Sequence, residues 1–414
     1  MAGRRRTRTA SLLLLAVAAA SGSSASPAQA VTVAAEGAVA AATAATDVAT
    51  LGWAAQSGGT SGGSAATAAH TYTVKNRAQL LAALVGTDPA TEKTSKTAPK
   101  IINWVGTIDM TEGTKYTSQA DQKVRAEIKL QPNTTIIGVG ATAYLPNGWF
   151  MIRNVDNVIV RNLKVTNPCD LAPKWDSGDG AGNYNSEFDG LTVDGSTHVW
   201  VDHLHFTDAP FTDDLEPLGN KDKNGVAKHI QCHDGSLDIK NASDFVTVSN
   251  TLFAQHLKNT LIGQSDTKTS DIGHQTITFA YNEYNNIGQR SPRVRFGELH
   301  SVGNYFVGSK SDPVYPHAYS IGTGLKSQII SENNVFEITG AVAGRCTDVV
   351  QNPASSNPEG NFKDTGSIVN GTKLAGCTAP SAVNWSLPSG YSYPKVATAN
   401  VKAYVLANVG PGKI

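Results

Sequence analysis

No excess charge of either sign marks this 414-residue chain: 34 lysines and arginines face 34 aspartates and glutamates. Without net charge there is no overall field to draw in nucleic acid or an anionic membrane, so neither is expected as a partner. Any anion site has to be local. Charged residues are sparse at 16% and aromatics at 7%. Only four cysteines occur, and none are in C-x-x-C spacing, which speaks against a thiolate metal site. Apolar runs are short. The one at Leu12–Ala20 cannot span a bilayer, and no other stretch does.

What is abundant is glycine, 39 residues, which suits an all-β chain with many turns better than a helical one. The N-terminus reads as a targeting segment. Arg4, Arg5, Arg6 and Arg8 precede the apolar run, and small residues follow up to Ala28-Gln29-Ala30. This is the pattern of a secretory signal over residues 1–30, cleaved after Ala30, and it implies a secreted, extracellular protein. Sec and twin-arginine export both remain open. Residues 31–51, the start of an Ala-, Thr-, Ser- and Gly-rich stretch that runs to about 70, are expected to be flexible. Residues 52–414 are expected to form one domain.

Export permits disulfides, and four cysteines allow three pairings. Cys346 and Cys377 flank a loop-rich stretch that a bond would tie down, which leaves Cys169 with Cys232 as the expected second pair.

Short β-branched runs recur along the middle of the chain: Asn157–Val165, His198–Phe206, Phe245–Phe253, Thr276–Tyr284, Glu298–Phe306 and Gln328–Phe336. Most end in an aromatic with an Asn shortly before it. Alternating residues, an Asn or Gly turn and a second short apolar run are how stacked coils of a parallel β-helix read. Asn at equivalent turns can hydrogen-bond down such a stack. The uneven spacing predicts loops of different length on one side, which build a groove. No even four-strand period supports a propeller. Asn76 is expected to cap a helix over Arg77–Leu84. Residues 341–414 lose the repeat and are expected to cap one end of the solenoid, with a closing helix over Ala397–Ala407.

The segment Gly288–Phe296, GQRSPRVRF, holds Arg290, Arg293 and Arg295 around one proline. Pro292 stiffens the bend after Arg290, and strand alternation puts Arg293 and Arg295 on one face. The alternative is a solvated basic strand. The apolar neighbours Ile287, Val294 and Phe296 favour cations facing a groove that takes a polyanion.

Acidic residues precede this segment. Glu187 and Asp189 in SEFDG lie two apart, roughly 7 Å along a strand, and can converge on one ion. Asp234 and Asp238 in HDGSLDIK would be about 13 Å apart on a straight strand, so the Asp-Gly pair has to bend the chain for them to share one. Asp202 lies in a strand that reads as buried. Clustered carboxylates repel unless a cation joins them, and calcium suits such a site. The aspartates could instead hold turns. They do not follow the D-x-D-x-D-G spacing of an EF-hand. Lys240 follows Asp238 by two, and Lys258 lies in QHLKNT. His203, His233 and His256 invite an acid–base reading. Residue types alone leave paired-carboxylate glycoside hydrolysis open.

The motifs VWVDH (Val199–His203), HDGSLDIK (His233–Lys240) and RSPRVRFG (Arg290–Gly297) make the chain resemble the extracellular pectate lyases of polysaccharide lyase family 1, from about Gly52 to Ile414. The resemblance implies a right-handed parallel β-helix and a carbon–oxygen lyase that cleaves α-1,4-linked polygalacturonate by β-elimination. It implies Asp189, Asp234 and Asp238 as calcium ligands, with Glu187 as a fourth. Lys258 would bind the substrate carboxylate, Arg290 would take the C5 proton, Arg295 would orient substrate, and Lys240 matches a further groove lysine. The middle residue of His256-Leu257-Lys258 is often acidic in the family and is not here. Arginine stays protonated in proteins, so a guanidine base needs surrounding cations that favour its neutral form. An alkaline activity optimum follows. The enzyme is expected to be monomeric. The rival readings are a pectin lyase acting on methyl-esterified polymer without calcium, and a non-catalytic galacturonan-binding solenoid.

Overall fold

The computed structural model describes residues 45–414. The leader expected over 1–30 and the stretch 31–44 lie outside the described residues. Residues 45–51, the end of the segment expected to be flexible, pack against the rest. Ala45 and Ala49 are buried, and Asp47 pairs with Arg161 at 2.8 Å.

Among the described residues, three largely parallel sheets of ten, nine and eight strands wrap one long core. The chain visits them in rotation, eight-stranded, then ten-stranded, then nine-stranded, and returns one rung further along. The result is a right-handed parallel β-helix, the hand favoured for parallel crossovers. Two short antiparallel hairpins, Lys174–Asp176 with Asn183–Asn185 and Leu218–Lys221 with Ala227–His229, stand on its loops.

The repeated runs in the sequence are corners between two sheets. Thr197–Asp202 leads into His205–Thr207, Asp244–Ser249 into Leu252–Lys258, and Thr276–Ala280 into Glu283–Gln289. Alternation sends one face inward: Val199 pairs with Val158 and Val246, Val201 with Val160 and Val248, and all are fully buried. The aromatics that end the runs stack inside the solenoid. Phe206, Phe253, Tyr284, Phe306 and Phe336 follow one another at 5.4, 5.2, 4.6 and 4.4 Å between ring centroids. The asparagines form the expected ladder. Asn304 Oδ1 accepts from Asn282 N at 2.9 Å, and Asn334 Oδ1 accepts from Asn304 N at 2.9 Å.

The Arg77–Leu84 helix is present, with the Asn76 side chain accepting from Gln79 N, and its Leu80, Ala83 and Leu84 cover the N-terminal end of the core. A second helix, Gln119–Ala126, was not expected from the sequence. Its face is mostly polar, and it buries only Gln122 and Ala126. Two expectations for the C-terminal part need correction. The repeat does not stop at 341, because Asn361–Thr365 and Ile368–Val369 add one more rung to two sheets. The closing helix, Thr398–Asn408, does not cap the end. Its Val401 and Val405 pack on the flank against Ala280, Tyr281, Val302, Tyr305 and Val335.

Both disulfides form the expected pairs, Cys169–Cys232 and Cys346–Cys377. The segment from Gly52 to Gly63 crosses the outside of the ten-stranded sheet. Trp53 N donates to Thr278 Oγ1, Ala54 N to Thr247 Oγ1 and Gly63 N to Thr135 Oγ1, each at 2.9 Å. Among the described residues no helix is long and apolar enough to cross a membrane.

Candidate active site

The eight-stranded sheet carries several of the candidate residues. Its inward rows are apolar: Leu191 registers with Phe150 and Leu237, and Ile239 with Val193 and Ile262. Alternation therefore turns Asp238 and Lys240 outward from one strand, Leu237–Lys240. Two rungs on, Val294 is core and its neighbours Arg293 and Arg295 face out. The basic wall and the acidic strand thus lie on one face of one sheet.

The acids meet at Gly235. Asp189 is 2% exposed and sits in the bend before Leu191–Asp194. Its Oδ1 accepts from Gly235 N at 3.1 Å, and its Oδ2 accepts from Thr192 Oγ1 at 2.6 Å and from Lys240 Nζ at 3.4 Å. Asp238 Oδ1 accepts from Leu261 N at 2.8 Å. A Cβ on Gly235 would lie 2.7 Å from Asp238 Oδ1 and 2.8 Å from Asp189 Oδ1, so the two carboxylates close on the same point. Asp234, half-buried in the irregular segment before Leu237–Lys240, lies close enough for its charge to be felt with those of Asp189 and Asp238. Burial and then the Asp189 charge push the Asp234 carboxyl up to about 6. The same two causes drive Asp238 well above the usual carboxylate range. Burial opposes the charge of Lys240, yet Asp189, Asp238 and Asp234 together hold its ammonium above the usual lysine range.

Lys258 ends the strand Leu252–Lys258 and is 5% exposed, with Nζ donating to Tyr184 O at 3.2 Å. Burial and the neighbouring Arg290 lower its ammonium below the ordinary lysine value, while Asp234 opposes the shift. Arg290 adopts φ 64°, a left-handed conformation that costs an L-residue about 1–2 kcal/mol. Hydrogen bonds on either side hold it there, Thr260 N to Arg290 O at 2.7 Å and Ser291 N to Ser320 O at 2.6 Å. The buried Nε of Arg290 and that of Arg293 have no partner. Arg290, Arg293 and Arg295 nonetheless gather three guanidinium charges near one another, beside Tyr319. Arg295 is tied down, donating from Nε to Asp266 Oδ1 at 2.6 Å and from Nη1 to Gly263 O at 3.0 Å.

With this geometry in view, the comparisons are specific. The pectate lyase family model matches residues 25–414. The chain belongs to the pectate lyase family. It is similar to pectate lyase E of Dickeya chrysanthemi, 42% identical over 378 residues and covering 90% of this chain and 89% of that one. The pectate lyase of Bacillus subtilis strain 168 is 36% identical over 408 residues, covering 88% of this chain and 92% of that one. Among solved structures, a pectate lyase bound to a hexasaccharide superposes with a TM-score of 0.77 at 34% identity, covering 88% of this chain and 97% of that one. A thermostable pectate lyase gives 0.78 at 33% identity, covering 89% and 99%.

In this pectate lyase family member Glu187 departs from expectation. It does not lie on a strand with Asp189. Its exposed carboxylate pairs with Lys123 on the Gln119–Ala126 helix, away from Gly235. Between Glu187 and Asp234 stands Asp170, which the sequence reading did not single out. It is 4% exposed, and its Oδ2 accepts from Glu187 N at 2.6 Å and Gln119 Nε2 at 2.8 Å. Burial pushes its carboxyl up to about 7, and Asp234 and Glu187 add to the shift. Its one sequence signal is adjacency to Cys169. An open pocket of about 600 Å³, lined by Lys123, Asp170, Lys174 and Glu187 among others, adjoins this end.

Asp202 and His203 are not part of the site. They sit on the ten-stranded sheet, where Asp202 binds His203 Nδ1 at 2.6 Å and Arg161 at 2.9 Å. A second group, Asp208, Asp213 and His233, offers ligand atoms within 4.8 Å of one another. It does not suit a metal, because both ring nitrogens of His233 are already engaged, Nδ1 with Pro168 O at 3.1 Å and Nε2 with Phe211 O at 2.8 Å. The Gly235 cradle does suit one. It is all oxygen, anionic and crowded, the donor set of a hard divalent cation.

Proposed function

We propose that this chain cleaves α-1,4-linked polygalacturonate by β-elimination, with calcium held by Asp189, Asp234 and Asp238. What supports the reading is the cradle at Gly235 with Lys258 and Arg290 close enough for their charges to act on Asp234. Bound calcium would neutralise carboxylates and stabilise the charge that grows on the substrate carboxylate as its α-proton leaves.

The protein's own groups do the rest. Lys258 faces the groove with few partners and binds that substrate carboxylate. Arg290, held at φ 64° by its neighbours, presents its guanidine to the C5 proton. The C5–H electrons form the C4=C5 double bond, the C4–O4 bond breaks, and O4 departs with the severed chain and takes a proton from water. Lys240 holds Asp189 in place, and Arg295, braced by Asp266, orients the adjoining sugars. Glu187 is left out of the ligand set, because its carboxylate is engaged by Lys123. Export follows from the leader expected over 1–30, and a mature N-terminus after Ala30 checks it.

The test is ultraviolet absorbance during digestion of polygalacturonate, since elimination leaves a double bond conjugated to the carboxylate. Wild type should generate it and lose the activity when divalent ions are chelated. Arg290→Lys keeps the charge but loses the planar fork and should lower kcat by about 10²–10⁴-fold. Undiminished activity in chelator, or in Arg290→Lys, overturns the reading.

A further inference from the structure

Behind the groove, at the corner between the nine-stranded and eight-stranded sheets, lies a buried carboxylate with no exposed surface. Asp208 follows the strand His205–Thr207 and opens the loop that leads to Asp213. Its Oδ1 accepts from Asn167 Nδ2 at 2.7 Å. Both of its oxygens accept from His256 Nδ1, at 2.8 and 2.9 Å. Its Oδ2 also accepts from Tyr315 Oη at 2.9 Å, and His233 Nδ1 stands 3.8 Å from Oδ1. Burial works against this carboxylate, but His256 and His233 hold it below the usual range. A single anion thus gathers donors from three separate pieces of chain, with the His233 ring standing beside it.

Each donor leads to a different part of the site. His233 precedes Asp234, and Asn167 also donates to Ser236 Oγ at 3.1 Å, so two spokes reach the segment that carries Asp234 and Asp238. His256 lies two residues before Lys258 on the same strand. Tyr315 leads into Ala318–Ser320, whose backbone meets the Arg290 segment through Ala318 N to Gly288 O at 2.8 Å and Ser291 N to Ser320 O at 2.6 Å. Tyr319 on that stretch lies beside Arg290 and Arg293. The acids, the lysine and the arginine come from different strands and loops, and parallel strand pairing fixes only their average spacing. Side-chain geometry at the level catalysis needs has to come from such outer contacts.

We propose that Asp208 is the positioning residue that registers the carboxylate cradle, Lys258 and Arg290 against one another. The proposal rests on the functional reading above. Asp208 is buried and touches no substrate, so it acts through His233, His256, Asn167 and Tyr315.

The test uses the full-length chain with Asp208→Asn, which keeps the shape but turns an amide donor toward donors. At a temperature where circular dichroism shows the fold intact, kcat on polygalacturonate should fall about 100-fold. Calcium affinity by calorimetry should weaken about tenfold. Folded protein with kcat and calcium affinity indistinguishable from wild type overturns the proposal. Tyr315→Phe removes one hydroxyl from the edge of the network and covers the case in which Asp208→Asn does not fold. It should lower kcat about fivefold with calcium affinity unchanged, because its spoke runs to the arginine side. Wild-type kcat in Tyr315→Phe counts against the hub. A wild-type chain that releases no unsaturated product sinks the lyase reading instead, and the calorimetry on the same proteins still decides on Asp208.

Discussion

At Gly235 the missing side chain does the structural work. A methyl group there would sit within 2.8 Å of oxygens from Asp189 and Asp238. Its φ is not left-handed, so the backbone tolerates alanine. Gly235→Ala should therefore fold normally and lose about tenfold in calcium affinity, read by calorimetry and by the calcium needed for half-maximal rate. At this scale the sequence was informative where a motif held several chemical groups at short range. Arg290, Arg293 and Arg295 share one segment, and Asp234 and Asp238 lie close enough for their charges to interact. It misled at Glu187, because the two-residue spacing to Asp189 was read as a strand and the segment is irregular. It was silent on Asp170 and Asp208, which enter from loops whose path depends on the Cys169–Cys232 bond and on buried histidines.

Among the elements, the corner between the ten-stranded and nine-stranded sheets was legible and the eight-stranded sheet was not. Each corner has about nine alternating residues ending in an aromatic that joins the stack from Phe206 to Phe336. The eight-stranded sheet is built from pieces as short as Leu261–Ile262 and Arg293–Val294, too brief to show a period. The Gln119–Ala126 helix was missed for another reason: its sequence, QADQKVRA, holds no large apolar residue but Val124 to show a period. The asparagine ladder gives this scale its prediction. Asn304 is fully buried and accepts from both the backbone and the side chain of Asn282. Asn304→Ala strands those donors and should lower unfolding free energy by about 3 kcal/mol, measured by urea denaturation.

For the molecule as a whole, charge buried away from the groove sets the acid limit. Burial opposes the Asp202 carboxylate, but His203 and then Arg161 hold it down to about 2. A carboxyl lowered on folding stabilises the protein fully above its unfolded value, and that stability is lost as pH falls through the folded one. About 2 kcal/mol should disappear between roughly pH 4 and pH 2. Asp202→Asn should flatten that part of the stability curve in thermal melts taken across the acid range. Activity should follow a different course and peak on the alkaline side, where a guanidine base works. A rate maximum in mildly acidic buffer would contradict the role given to Arg290.

The strap from Gly52 to Gly63 bears on the order of events during synthesis. Trp53 emerges from the ribosome early, yet its backbone docks on Thr278, which is made 225 residues later. The surface that receives it does not exist until most rungs have been laid down in turn. The strap is thus left waiting through translation, and its seating reports that the sheet has been laid down as far as Thr276–Ala280.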